Sequence, residues 1–242
     1  IFSLQRPFNN KDNYNNIYLA SIDNLLFRNI LKKNNNSNIY TFDDGTANIF
    51  NNSSYFSNKD SKKSAIFSKI FNLPSKSDIL KKSKKHYTIF RNFDNILPQK
   101  KLEFITIFDK NENSKTENEK KIFFIGQPFE EYLNNQKIIQ LKKYLEKINI
   151  DYYVKHPREK KPIIKNINML DKKNDIAEIA ILKEAGQNKP LIISAFSTVL
   201  FNIDEKMADK IYLSLMSDEQ EKNRLELVKK TGAKIIKLSI DS

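Results

Sequence analysis

The residues best equipped for chemistry are Lys155, His156, Pro157, Arg158 and Glu159, a run that holds one of only two histidines in the chain, the other being His86. An imidazole can donate a hydrogen bond to a phosphate oxygen and can act as a general acid. Lys155 and Arg158 flank it with fixed positive charge suited to a phosphate. Ser197 and Thr198 follow an apolar run containing Ser194; small hydroxyl residues after a strand can cap the next helix, whose N-terminus attracts anions. Asp43 and Asp44 precede Gly45, and a carboxylate there could deprotonate or orient an acceptor hydroxyl. Glu130 and Glu131 follow Gly126-Gln127-Pro128 and are expected in the first turn of a helix. Glu178 could bind ribose hydroxyls. Each motif has a plainer reading: a strand-end loop with a solvent-facing His, a cap without a ligand, an Asp-Gly turn, carboxylates serving only the helix dipole, a Glu facing solvent.

Other chemistries lack their residues. There is no Cys, which rules out disulfides, thiolate nucleophiles and Cys-based metal sites. Two His and no Asp-x-Asp spacing leave little with which to hold a metal, so a metal-independent mechanism without a cofactor is expected. Lys plus Arg is 42 against 29 Asp plus Glu, a net charge of +13. Such a chain is drawn to nucleic acid, acidic lipid headgroups or phosphorylated sugars, although a Lys- and Asn-rich surface also serves solubility alone. With 39% hydrophobic residues over 242 positions the sequence reads as soluble and globular, one large or two modest domains. No apolar run approaches the roughly 18–20 residues of a membrane span. The sequence starts at Ile1, as a fragment or processed chain would, and shows no leader pattern at its visible start.

The elements that must position these groups alternate. Residues 1–16 read as an irregular lead-in, 17–21 as a strand, 23–33 as a helix capped by Asp23, with Leu25, Leu26, Ile30 and Leu31 on one face, and 38–42 as a strand. A helix is expected near 61–72, ended by Pro74, and the basic run Lys81 to Lys85 reads as a solvated loop, with anionic-acceptor or membrane contact as the sharper alternative. Residues 111–120 are charged and lack apolar side chains, which predicts a linker. Beyond it come strands at 121–128, 151–157, 189–197, 210–215 and 233–240. Helices are expected at 130–148, 175–182 and 218–232, the last stopped by Gly232. Strand–helix alternation predicts an α/β fold with parallel sheets covered on both faces. The motifs fall at carboxyl ends of strands, where open α/β sheets bind ligands, so they are expected to converge on a cleft between two domains, 1–117 and 118–242.

The strings YTFDDGTANI (40–49), FFIGQPFEE (123–131), YYVKHPRE (152–159) and SAFSTVLFNI (194–203) together resemble glycosyltransferase family 52, the bacterial lipooligosaccharide sialyltransferases. The resemblance covers roughly residues 17–215. It implies a GT-B architecture of two Rossmann-like domains. The N-terminal one, on the acceptor side, is expected to be incomplete, because only 42 residues precede Asp43. The C-terminal one would hold CMP-sialic acid. The resemblance implies that His156 assists departure of the CMP phosphate. Gly126, Gln127, Val154, Lys155, Pro157, Arg158 and Glu178 would shape the donor site, and Ser197 and Thr198 would hold the phosphate. The family's base is a carboxylate, carried onto Glu130 or Glu131 with Asp43 as the rival. The implied partners are CMP-sialic acid and a galactose-terminated glycan such as lipooligosaccharide, not nucleic acid. The implied location is the bacterial cytoplasm or the membrane surface. Pairing by exchange of parts would give a homodimer. A UDP-sugar glycosyltransferase, a non-catalytic polyanion-binding protein and an inactive nucleotide-binding fragment remain as alternatives.

Overall fold

The computed structural model describes residues 13–56, 60–108 and 119–238. The chain divides into two compact units, Ile1–Ile107 and Phe108–Ser242, each built on an all-parallel sheet. Most of the linker expected at 111–120 lies outside the described residues.

In the first unit β1 (Asn16–Leu19), β2 (Asn38–Phe42), β3 (Ser83–Thr88) and β4 (Leu102–Phe104) follow one another across the sheet. α1 (Leu25–Lys33) links β1 to β2, as the apolar spacing predicts, but its cap is one residue later than expected: the Asn24 side chain accepts the Leu26 N–H at 2.9 Å. Asp23 instead accepts from the Ser54 hydroxyl. Of the four apolar residues expected on the buried face of α1, only Leu31 is buried; the helix's other buried residue is Arg28. The Arg28 guanidinium forms a two-pronged pair with Asp60, at 2.7 and 2.8 Å, and donates to the Ile22 carbonyl. α2 (Lys62–Ile70) and α3 (Lys76–Lys82) precede β3. The Lys81–Lys85 run is therefore not a loop. Lys81 and Lys82 close α3, where cations favour the helix dipole, and Lys84 and Lys85 lie on β3.

The second unit orders its strands β6-β5-β7-β8-β9, from β5 (Ile122–Ile125), β6 (Tyr152–Val154), β7 (Leu191–Ser194), β8 (Asp209–Ser214) and β9 (Lys234–Lys237). Side chains alternate across such strands, and the two faces feed separate cores. Phe123, Val154, Ile192 and Tyr212 pack with α5 (Ala177–Ala185) and α6 (Val199–Asn202). Phe124, Tyr153, Ile193 and Leu213 pack with α4 (Asn135–Glu146). α7 (Glu219–Lys229) buries Val228 in the first of these cores and is followed by Gly232, at φ +73°, a backbone region that favours glycine. Because β5 is flanked by β6 on one side and β7 on the other, the strand order reverses at β5/β7. Open α/β sheets bind ligands outside the carboxyl ends of the strands at such a reversal.

Two local expectations change. Glu130 and Glu131 are not in the first turn of a long helix: they form a separate 3-10 turn, Phe129–Glu131, and α4 starts afresh at Asn135 behind an Asn134 cap. The helix after Ser197-Thr198 has only four residues, so an anion there must be bound by hydroxyl and amide groups, with little help from a helix dipole. Among the described residues no helix is long and apolar enough to cross a membrane.

Candidate active site

The β5–β7 reversal brings Gly126-Gln127-Pro128, the His156 turn and Ser197-Thr198 to one edge of the sheet. Gly126 is required by close approach: a Cβ there would lie 2.4 Å from Glu159 Oε2 and 2.5 Å from Tyr153 Cε1. Glu159 is buried beneath the turn. Its Oε1 accepts from the Tyr153 hydroxyl and its Oε2 from the His156 N–H at 3.3 Å. The Glu159 N–H closes the turn onto the His156 carbonyl at 3.0 Å. Burial pushes the Glu159 carboxyl up, and the Tyr153 phenol is pushed up by burial and by that carboxylate.

The turn fixes the imidazole as well. His156 Nδ1 accepts the Arg158 backbone N–H at 3.1 Å, so the neutral ring carries its proton on Nε2. Partial burial, then the Arg158 and Lys172 cations, hold the His156 pKa below its usual value. A neutral Nε2–H donor is the form this environment favours.

His156 and Arg158 form one wall of a cavity of about 300 Å³. Gln127, Pro128 and Tyr132 form a second wall, and Phe196, Ser197 and Thr198 contribute from the end of β7. Tyr212 from β8, with Glu221 and Arg224 from α7, completes it. The Gln127 amide donates to the Phe196 carbonyl at 2.6 Å and accepts from the Tyr132 hydroxyl, tying two walls together. Ser197 Oγ accepts the Val199 N–H at 3.4 Å and so retains its own proton to donate. The Thr198 side chain makes no cap hydrogen bond. These groups offer N–H, O–H and cationic donors, the set an oxyanion needs.

A second cavity, of about 510 Å³, shares Gln127, Pro128 and Arg158 with the first and is also lined by Glu130, Glu131, Lys142, Lys160 and Lys161. Glu131 Oε2 lies 3.5 Å from Arg158 Nη1. Glu130 is exposed and makes no hydrogen bond or ion pair with a described residue.

Of the residues singled out in the sequence, Gln127, His156, Arg158, Ser197 and Thr198 thus line one cavity. Gly126, Val154, Lys155, Pro157 and Glu178 line neither cavity. Val154 is core, and Glu178 is buried, accepting from the Asn202 amide at 2.6 Å. Ser194 is fully buried in β7, its hydroxyl without a hydrogen-bond partner among the described residues. In the first unit both Asp43 oxygens are engaged, Oδ1 with His86 Nε2 at 3.1 Å and Oδ2 with the Ile89 N–H at 2.9 Å. Asp44 accepts from the Ser21 and Tyr55 hydroxyls. Tyr132, Tyr212, Glu221 and Arg224 were not legible as site residues. The signal available for the last three was positional: they lie on and just beyond β8, the next strand past the reversal.

The model of glycosyltransferase family 52 matches residues 3–217. An N-acetyllactosaminide alpha-2,3-sialyltransferase of Haemophilus influenzae is 31% identical over 206 residues, 83% of this chain and 65% of that protein. A CMP-N-acetylneuraminate:beta-galactoside alpha-2,3-sialyltransferase of Pasteurella multocida is 28% identical over 223 residues, covering 91% of this chain and 70% of that one. The chain thus spans 65% of the length of the H. influenzae relative. Among solved structures, an alpha/beta-galactoside alpha-2,3-sialyltransferase from Photobacterium phosphoreum superposes with a TM-score of 0.55 at 14% identity, covering 93% of this chain and 80% of that chain. The fold is the GT-B type, two Rossmann-like α/β units. The chain belongs to glycosyltransferase family 52.

Proposed function

We propose that the second unit binds CMP-sialic acid and that the protein transfers the sialyl group to a β-galactoside acceptor. The observation that carries this is the convergence of His156, Arg158, Ser197 and Thr198 on one cavity at the strand-order reversal. The donor phosphate sits against these four residues. The acceptor hydroxyl attacks the anomeric carbon as the bond from that carbon to the phosphate oxygen breaks, through an oxocarbenium-like state. CMP leaves with the electron pair of that bond, and inversion follows from the single displacement.

A phosphate is already a good leaving group, so stabilising its growing charge lowers the barrier more than any protein nucleophile would. The His156 Nε2–H, the Arg158 guanidinium and the Ser197 and Thr198 hydroxyls supply that stabilisation. The acceptor proton goes to a carboxylate. Glu130 is the assignment: it is unpaired and belongs to the neighbouring cavity that shares Arg158, whereas Glu131 faces Arg158 and both Asp43 oxygens are occupied.

Thermal stabilisation tests the donor. A ligand at 100 times its Kd stabilises by about 2.7 kcal/mol, so saturating CMP raises the melting temperature by several degrees and UDP does not. Stabilisation by UDP alone would replace this reading with a UDP-sugar transferase.

A further inference from the structure

α7 carries two charged side chains into the first cavity that phosphate chemistry leaves unused. Glu221 is buried, and its Oε1 accepts from the Tyr212 hydroxyl at 2.9 Å. Burial and this carboxylate push the Tyr212 phenol up, so the hydroxyl stays a donor. Arg224 follows one turn later, its Nη1 3.7 Å from Glu221 Oε2 and its guanidinium carbon 5.1 Å from the centroid of the Phe196 ring.

Arg224 has no hydrogen bond to any described residue, and its Nε is buried without a partner. A guanidinium holds five donors in a planar fork, and leaving a buried donor unmatched is costly. Glu221 does not relieve this: 3.7 Å is an ion-pair distance but not a hydrogen bond. Phe196 supports the cation and Glu221 orients it, while its donors stay vacant at the cavity wall. The cavity therefore has two separate cations, Arg158 beside the neutral His156 donor on the turn after β6 and Arg224 on α7.

The phosphate of a nucleoside monophosphate needs only one of these cations. A second anion is present when the transferred sugar is itself an acid. In a 2-keto sugar acid the carboxylate is bonded to the anomeric carbon, next to the phosphate ester, and a planar fork matches a carboxylate in two-pronged fashion.

We propose that Arg224 receives the carboxylate of the donor sugar and is the specificity-determining residue that makes this cavity take nucleoside-monophosphate donors of acidic, not neutral, sugars. This rests on the donor-site assignment above, and CMP, which lacks the carboxylate, separates the two ideas.

The test is a calorimetric titration of the full chain with CMP and with the non-transferable donor CMP-3-fluorosialic acid. The wild-type protein should bind the fluorinated donor more tightly than CMP. Arg224→Met should weaken the fluorinated donor by about 10–100-fold, the range of one charge-assisted pair, and CMP by less than about threefold, a difference too small for such a pair. Arg224→Lys, which keeps the charge without the fork, should recover part of the loss. Equal weakening of both ligands in both variants, or no change in either ligand, overturns the Arg224 assignment. Failure of CMP to bind the wild-type chain overturns the donor site itself and this inference with it.

Discussion

The buried carboxylate of Glu159 accepts the backbone N–H of His156 at 3.3 Å, while its other oxygen is held by the Tyr153 hydroxyl under Gly126. The strand β5, the strand β6 and the turn that aims His156 thus meet at one point. Gly126→Ala puts a methyl group where Glu159 Oε2 and the Tyr153 ring already stand. It should destabilise the protein by about 1–3 kcal/mol, the usual cost of overpacking, and weaken CMP binding through the displaced turn. Calorimetric melting and CMP titration check this; wild-type values in both would contradict it.

His156 should act through its Nε2–H. Loss of one preorganised donor to a developing oxyanion costs about 10²–10³ in turnover. His156→Ala is expected to lose that much, and His156→Gln, which restores an N–H donor, should retain measurably more. The comparison uses initial rates with CMP-sialic acid and lactose.

The same residue gives a pH prediction. Burial and the neighbouring cations lower the His156 pKa, which favours the neutral ring above its ordinary value of about 6.5. If the neutral Nε2–H suffices, kcat/KM stays level from about pH 7 to 8.5. A tenfold fall per pH unit over that range would show that the imidazolium form is required.

Much of this geometry was legible in the sequence. The His-Pro run, the Ser-Thr pair and Gly126-Gln127-Pro128 stand at the ends of apolar strands, and strand ends follow from periodicity and turn residues alone. The α1 cap was misplaced because Asp23 and Asn24 are both good caps, and only the Ser54 contact takes Asp23 elsewhere. Glu130 and Glu131 were read into a helix because they directly precede the apolar stripe that begins at Leu133, yet they lie in a separate 3-10 turn whose Phe129 enters the core. Arg224 could not be found locally. Its α7 environment reads as a solvated charged helix, and its role depends on Phe196 and Glu221 meeting it in space.

Arg28 was also invisible to pattern reading, because a buried cation looks like a surface one. Asp60→Asn would leave its guanidinium without a counter-charge, and breaking a buried pair costs about 3–5 kcal/mol. The hydrogen bonds from Arg28 hold the Asp60 carboxyl below its usual range. Its contribution is therefore fully present above about pH 4 and is lost as pH falls through the folded-state value. Urea unfolding at pH 7 and pH 3 should show the difference between wild type and Asp60→Asn narrowing at the lower pH.

Lys210 acts in the same direction for a different reason, burial instead of an ion pair. It is buried in β8, donates to the Leu200 and Ile203 carbonyls, and burial lowers its pKa to about 8. An unfolded Lys titrates near 10.4, so between about pH 8 and 10.4 the unfolded state binds more protons and this group makes stability rise with pH. Lys210→Met should flatten that rise in urea titrations across the same window.

The most direct test of the central claim is transfer itself. The full chain is incubated with CMP-sialic acid and a fluorescent lactoside, and sialylated product is measured for the wild type and His156→Ala. The account predicts product from the wild type and a rate lower by about 10²–10³ in the variant. Equal rates for the two proteins, or CMP binding with no product from the wild type, would contradict it.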